Sequence, residues 1–373
     1  MSTSSPLTIV HTLAPATVGG LESVVQLLTT GLAARGHRVI VIASADDVDR
    51  HPLTSALRAG GVEVRSAGTS TRDYARERKM FAAYLRSLRP DVVHSHGYRS
   101  DILHLPVARE GGIGTVSTLH GFTGQTWKVR LYEVLQLRAL RRASAVIAVS
   151  RGVYARARTQ RIGAEQLHTI VNAYAPSTPF LSRDAARAEL GIGPDEYRVT
   201  WIGRFSVEKG VDLMIDTMTS LRGADVGVSM IGDGPFKEPL STRVRDTGLS
   251  DQVIFHGMIP AAARFLPAFD ALVLSSRTEG TPMVVLEAMA AGVPVIAPRV
   301  GGIPDMLSDD EAMLVPAEDS DALANAIRDA RHAPHEMQAR AAAARTRLDR
   351  DFDVDRWLDQ HEQLYRAIST RSA

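Results

Sequence analysis

The chain has 373 residues, of which 45% are hydrophobic and 23% charged, with a formal net charge of +1. That length accommodates two domains with separate cores, and that composition excludes a disordered chain. With no cysteine present, disulfides, thiolate zinc sites and a cysteine nucleophile are excluded as well.

The N-terminal half reads as a series of strand–helix units. LTIVHTL (7–13) is a strand, followed by a loop holding Gly19 and Gly20, a helix ESVVQLLTTGLAARG that stops at Gly36, and the strand HRVIVIAS (37–44). The alternation continues through VEVRSAG, a helix over 74–88, DVVHSHG (91–97), a helix near 99–109, TVSTLHG (115–121), a helix over 127–142 and AVIAVS (145–150). Short β-branched runs alternating with helices predict a parallel sheet covered on both faces.

VNAYAPSTPFLSRD, with its prolines and small polar residues, reads as an interdomain connection. A second series follows: RVTWIGR (198–204), VGVSMIG (226–232), QVIFHGM (252–258), DALVLSS (270–276), VPVIAPRV and AMLVP (312–316). The expected fold class is therefore α/β, with two doubly wound Rossmann-like domains facing a central cleft. Residues 1–175 form the first domain, 176–196 a linker, 197–350 the second domain, and 351–373 a last amphipathic helix packing back toward the first. In such sheets ligands bind outside the carboxyl ends of the strands.

Charge is divided unevenly. Residues 1–180 carry 22 Lys and Arg against 12 Asp and Glu, and residues 181–373 carry 21 against 30, giving +10 and −9. Two readings stay open: the basic half approaches an anionic membrane surface or acidic acceptor, or the two domains attract each other across the cleft. Arg72, Arg76, Arg78 and Lys79, with Lys128, Arg130, Arg138, Arg141 and Arg142 on the amphipathic stretch WKVRLYEVLQLRALRR, are the candidate contact surface. No run reaches the length of a membrane helix, and MSTSSPLTIVHTL lacks the basic start and long apolar stretch of a signal peptide. The expected location is cytoplasmic, with peripheral attachment to the inner face of the cell membrane as a further possibility, and nucleic acid is not an expected partner.

The chemistry concentrates in RTEGTPMVVLEAMAAGVPVIAPRVGG. Gly280 and Pro282 mark a turn, so a helix starts near Thr281 or Pro282 and ends at Gly292. Glu279 then sits in the loop before the helix and Glu287 over a turn into it, separated by roughly 8–12 Å at 1.5 Å rise per residue. That span suits one extended polar ligand. Glu287 lies within the apolar run MVVLEAMAAG, where a charge is costly to bury without a partner.

Arg204 and Lys209 flank the loop GRFSVEKG, directly after a strand and between Gly203 and Gly210; their cations suit a departing diphosphate. The amides of Met283 and Val284 at the helix start would add to them, and together such groups could take the place of a metal ion on a departing diphosphate. DFDVDR has an Asp-x-Asp spacing, but at a helix start it reads as structural. His120 ends its strand, and Gly19–Gly20 is a weak phosphate-loop signal. His94 and His96 lie on one face of a strand, where they could hold a metal or contact the acceptor.

With these residues assembled, the chain resembles the retaining GT-B-fold nucleotide-sugar glycosyltransferases of family 4, also called glycosyl transferases group 1, over nearly its whole length. The resemblance rests on EGTPMVVLEAMAAGVPVIAPRVGGIPDML, GRFSVEKG, IGDGP (231–235), FHGMI (255–259), VGGLESVV and STLHG. It implies transfer of a sugar from a UDP- or GDP-linked donor to an acceptor alcohol with retained configuration and no cofactor. It implies also that Glu279 meets hydroxyls of the transferred sugar, Glu287 those of the ribose, and Arg204 and Lys209 the diphosphate. Gly203, Gly257 and Met258 would border the nucleotide, and Gly280, Thr281, Met283 and Val284 would line the donor. Gly19, Gly20, His96, Tyr98 and His120 would shape the acceptor side, with Gly20 also touching the donor and His120 beside the reacting sugar. The chain departs from the family where Asn172-Ala173 replaces the usual Asn-Gly. Rival expectations are a nucleotide-sugar epimerase of the same architecture and a metal-dependent hydrolase using His94 and His96.

Overall fold

A computed structural model describes residues 5–16, 19–45, 47–68, 73–121 and 127–369. The chain divides into two compact units, residues 1–173 with 354–373, and residues 174–353.

The first unit runs β1 (Thr8–Leu13), α1 (Gly20–Ala34), β2 (Arg38–Ser44), α2 (Pro52–Ala59), β3 (Glu63–Gly68), α3 (Tyr74–Leu88) and β4 (Val92–His96). It continues through α4 (Tyr98–Glu110), β5 (Gly114–Leu119), α5 (Trp127–Leu140), β6 (Ala145–Ala148), α6 (Arg151–Thr159) and β7 (Leu167–Thr169). The seven strands pair in parallel in the order β3-β2-β1-β4-β5-β6-β7. Nearly every residue of β1, β4 and β5 is buried, because helices cover both sheet faces, and this burial includes polar residues such as His11, His94 and His96. On one face Val10, Ile40, Ile42 and Val93 meet Phe81 and Leu85 of α3.

The second unit comprises α7 (Arg183–Leu190), β8 (Arg198–Ile202), α8 (Val211–Ser220), β9 (Gly227–Ile231), α9 (Lys237–Asp246) and β10 (Val253–Gly257), then β11 (Ala271–Val273) and α10 (Met283–Ala291). β12 (Val295–Pro298), α11 (Ile303–Met306), β13 (Met313–Val315), α12 (Ser320–His332) and α13 (Pro334–Asp351) complete it. Its six strands are parallel in the order β10-β9-β8-β11-β12-β13, and Val199, Trp201, Val228 and Met230 fill its core with Met214 and Met218 of α8. α7 lies within 176–196 and packs on the short helical turn Ala262–Ala268.

The last helix, α14 (Val354–Ser369), follows Asp353 and joins the first unit, where it packs on α1, β4 and β5. Arg35, just after α1, bonds Asp355 and Asp359 on it, and Asp351 is paired with Arg350, so the first and last carboxylates of DFDVDR serve ion pairs. In each sheet the strand order reverses between the first strand and the fourth: β1 beside β4 and β8 beside β11. A reversal of this kind leaves a crevice at the strand ends, and the loops that follow these strands carry the residues singled out above.

Candidate functional site

In the second unit, the loops leaving β8 and β11 are tied to each other. The Trp201 indole N–H donates to Ser275 Oγ (3.0 Å), and that hydroxyl donates to the Gly210 carbonyl (2.7 Å). Gly210 has φ +60°, and a Cβ there would lie 1.8 Å from the Ser275 carbonyl oxygen, so only glycine allows this approach. Lys209, at the end of the turn Val207–Lys209, is thereby aimed at the second loop. Its Nζ donates to both carboxylate oxygens of Glu279, at 2.7 and 2.9 Å, and Ser276 Oγ donates to Glu279 Oε1 at 2.6 Å.

Glu279 is fixed from behind as well. Gly302 donates its N–H to the Glu279 carbonyl (3.2 Å), and Gly301, at φ +53°, passes so close that a Cβ would lie 1.9 Å from that oxygen. The Glu279 side chain is 6% exposed and that of Lys209 29%, so the carboxylate is held inside the fold while the ammonium reaches solvent. Gly280 and Thr281 are buried in the turn that follows.

α10 starts at Met283, and Pro282 occupies the cap with φ −67° and ψ 114°. The helix thus begins one or two residues later than the sequence suggests, since Pro282 with an extended ψ precedes the first turn instead of forming it. No side chain among the described residues caps α10, whose cap position is held by Pro282 with no side-chain acceptor to offer its first amides. Gly292 closes it in the left-handed conformation. Glu287 lies in its second turn, partly buried between Leu286 and Ala288, with no hydrogen-bond or ion-pair partner among the described residues. Burial pushes its carboxyl up to about 7. The Tyr174 phenol is raised by burial and by the nearby Glu287.

Arg204 is exposed and makes no ion pair among the described residues. Gly203 donates its N–H to Ile231, and Gly232 donates to the carbonyl of Gly257, which has φ +71° where β10 slips register. Met258 next to it is 47% exposed, an apolar surface free for contact. Val284 is partly buried and Met283 buried. One edge of this unit therefore gathers two cations, an uncapped helix start, one paired carboxylate and one unpaired carboxylate.

In the first unit, Gly19 and Gly20 open α1, Tyr98 opens α4, and His96 and His120 stand at or just beyond the ends of β4 and β5. Ala16 donates its N–H to Glu22 Oε1 (2.7 Å), which holds the start of α1. His96 does not act alone. His11 Nδ1 lies 3.1 Å from His96 Nε2, and His96 Nδ1 lies 3.3 Å from His120 Nε2, so three imidazoles run in line from β1 to the partly buried His120. His120 consequently has Nδ1 as the nitrogen left for a ligand. Burial, then the nearby His361, lowers His11 to about 3 and His120 to about 4, leaving both rings neutral near pH 7.

His11, His94 and His96 have ring nitrogens within 4.8 Å of one another, a set that could hold a metal ion. The hydrogen bonding engages them otherwise. His94 Nδ1 lies 2.6 Å from the Tyr365 hydroxyl and Nε2 2.8 Å from Thr118 Oγ1. The His94 and His96 ring centroids are 4.2 Å apart with the rings tilted by 33°. Sequence reading missed His11, His361 and Tyr365. Alternation along β1 puts His11 on one face, but only the register, which makes His11 and His94 direct neighbours, shows that the rings meet. The helix that brings His361 and Tyr365 to them comes from the far end of the chain.

Residues 182–347 match the family described as glycosyl transferases group 1, and residues 18–177 match glycosyltransferase family 4. A glycogen synthase of Mycobacterium tuberculosis is 28% identical across 95% of this chain and 92% of its own length. The 2-deoxystreptamine N-acetyl-D-glucosaminyltransferase of Streptomyces fradiae is 30% identical across 84% and 82%. Among solved structures, Anabaena HepE in complex with UDP-glucose superposes with a TM-score of 0.85 at 20% identity, covering 97% of this chain and 100% of that one. Neither rival expectation, epimerase or hydrolase, gains support from these likenesses.

Proposed function

The chain belongs to the glycosyltransferases of group 1 and family 4, built on two Rossmann-like GT-B units, and from that premise we propose that it transfers a sugar from a UDP- or GDP-linked donor to an acceptor hydroxyl with retention of configuration. The observation that carries the proposal is the Lys209–Glu279 pair at the β8–β11 reversal, beside the unpaired Arg204 and the uncapped start of α10. The glycogen synthase and 2-deoxystreptamine N-acetyl-D-glucosaminyltransferase relatives, and the UDP-glucose complex of HepE, support a nucleotide-sugar donor.

The second unit holds the donor. Arg204, Lys209 and the amides of Met283 and Val284 face the diphosphate, and Glu287 accepts hydrogen bonds from the ribose hydroxyls. Glu279 accepts from hydroxyls of the transferred sugar. Gly203, Gly257 and Met258 border the base, with Gly280 and Thr281 shaping the turn against the sugar. In the first unit, Gly19, Gly20, His96, Tyr98 and His120 receive the acceptor alcohol.

As the bond from the anomeric carbon to the phosphate oxygen breaks, negative charge grows on the diphosphate, where Arg204, Lys209 and the helix start stabilise it. The acceptor oxygen bonds to the anomeric carbon on the same face, and its proton passes to the departing phosphate. These fixed cations supply the charge that a divalent ion would bring, so the reaction proceeds without one.

The test is a panel of UDP- and GDP-sugars with acceptor alcohols, with and without EDTA, and product configuration read by NMR. The expected product keeps the donor's anomeric configuration, with equal rates in EDTA. Lys209→Ala should lower kcat by about 10²–10³-fold, as loss of one preorganised charge-stabilising group does elsewhere. Inverted product, or a Lys209→Ala variant of full activity, would overturn the assignment.

A further inference from the structure

A hollow of about 330 Å³ opens on the first unit between α3, α4 and α5, away from the strand-end residues described above. Its floor is apolar, formed by Ile102, Leu105, Pro106 and Ala139, and its rim carries Arg78, Arg109, Arg138 and Arg142 with one acid, Glu110. Among the described residues Glu110 pairs with Arg78, at 3.9 Å. Arg109, Arg138 and Arg142 are exposed and have no ion-pair partner among the described residues. Three unpaired guanidiniums around one concavity repel each other unless an anion joins them.

α5 continues this surface. Leu135 and Arg138 lie at helical spacing on one stripe, with Arg142 in the turn just after the helix, while Leu137 and Leu140 are buried beneath. Toward the helix start the same side turns apolar: Leu131, Tyr132, Val134 and Leu135 are 51, 42, 62 and 40% exposed. From Leu131 to Arg142 the stripe extends about 16 Å. It is apolar at one end and cationic at the other, the division of a helix lying in a lipid–water interface.

We propose that this face binds an anionic phospholipid membrane, with a lipid phosphate seated among Arg109, Arg138 and Arg142 and the Leu131–Leu135 segment entering the acyl boundary. Charge decides between this occupant and a second copy of the chain. A two-fold contact through the same patch would set these arginines against their own counterparts with one acid per copy to offset them. Neighbouring exposed leucine and valine side chains favour lipid over a wholly polar polyanion. The proposal holds whichever sugar the protein transfers, so it stands or falls separately from the assigned reaction.

Co-sedimentation with vesicles tests it, using phosphatidylglycerol–phosphatidylcholine mixtures against phosphatidylcholine alone at low and high salt. The full-length protein should pellet with the anionic vesicles only, and should be released as salt screens the surface. Arg138→Ala with Arg142→Ala should weaken partitioning about thirtyfold, from the usual contribution of each basic side chain near an anionic surface. Leu131→Ser with Val134→Ser should weaken it as well while leaving the salt response in place. All four side chains are exposed, so the variants keep their fold, which circular dichroism checks. Equal pelleting with both vesicle types, no pelleting, or full binding by the arginine variant overturns the proposal. So does a concentration-dependent dimer that the same substitutions abolish.

Discussion

Glu287 is the residue whose environment and proposed task pull in opposite directions. Burial holds its carboxyl at about 7, whereas accepting two ribose hydroxyls is strongest from the ionised form, which offers acceptors only. Donor binding should therefore tighten as pH rises through 7 and level off above it, and below 7 each pH unit should cost up to about tenfold in Kd. Binding near pH 7 should also release a proton, seen in calorimetry as a heat that changes with the buffer's ionisation enthalpy. Stability runs the other way. Between the ordinary value of 4.5 and the folded value of about 7, the native state binds more protons than the unfolded chain, so stability falls as pH rises across that window and is constant above it. Glu287→Gln should abolish both slopes, weaken donor binding by about 10–100-fold through loss of charge-assisted hydrogen bonds, and leave the protein more stable than wild type at pH 8. A donor Kd independent of pH in the wild-type protein would refute the assigned contact.

At the scale of elements, the site depends on chain passages that tolerate no side chain. The turn after β12 passes Gly301 against the Glu279 carbonyl, so Gly301→Ala has two costs: the left-handed φ of +53° and a Cβ 1.9 Å from backbone oxygen. Gly36 has φ +89°, but a Cβ there would meet nothing within 4 Å beyond its chain neighbours, so this glycine isolates the first cost. Gly36→Ala should lose about 1–2 kcal/mol of stability and keep its activity. Gly301→Ala should lose more and, by displacing Glu279 from Lys209 by about 1 Å, should slow transfer about 100-fold. Chemical denaturation together with kcat separates the two variants. The sequence shows the Gly301–Gly302 turn and the strands beside it, because apolar runs and turn residues are local signals. It does not show that this turn abuts Glu279, which depends on the register of β12 beside β11. The His11–His96–His120 line escapes for the same reason. Each histidine is visible, but their meeting depends on three strands from separate stretches of chain. Arg72 and the side chains of Lys128 and Arg130, part of the expected basic surface, lie outside the described residues. Of that surface, Arg78, Arg138 and Arg142 gather at one hollow.

Across the whole molecule, two units each have a hydrophobic core and a strand-order reversal of their own. The alternation of strands and helices made both legible, since a parallel sheet needs a helix after nearly every strand; the three-residue β7 did not stand out, being too short to leave a pattern. Separate cores mean that a ligand held by one unit need not alter the other. UDP, the shared portion of many donors, should bind residues 174–353 alone. At 100 times its Kd it should add about 2.7 kcal/mol to the stability of that unit. Hydrogen exchange on the full-length protein gives the distribution. Slowed exchange is expected in the loops at 203–210 and 275–284 and at 301–302, where the donor amides and the Glu279 backbone lie, with β1, β4, β5 and α14 unchanged. Protection centred on the His96 and His120 strand ends instead, with the 203–210 loop unaffected, would move nucleotide binding to the first unit and reverse the roles assigned to the two sheets.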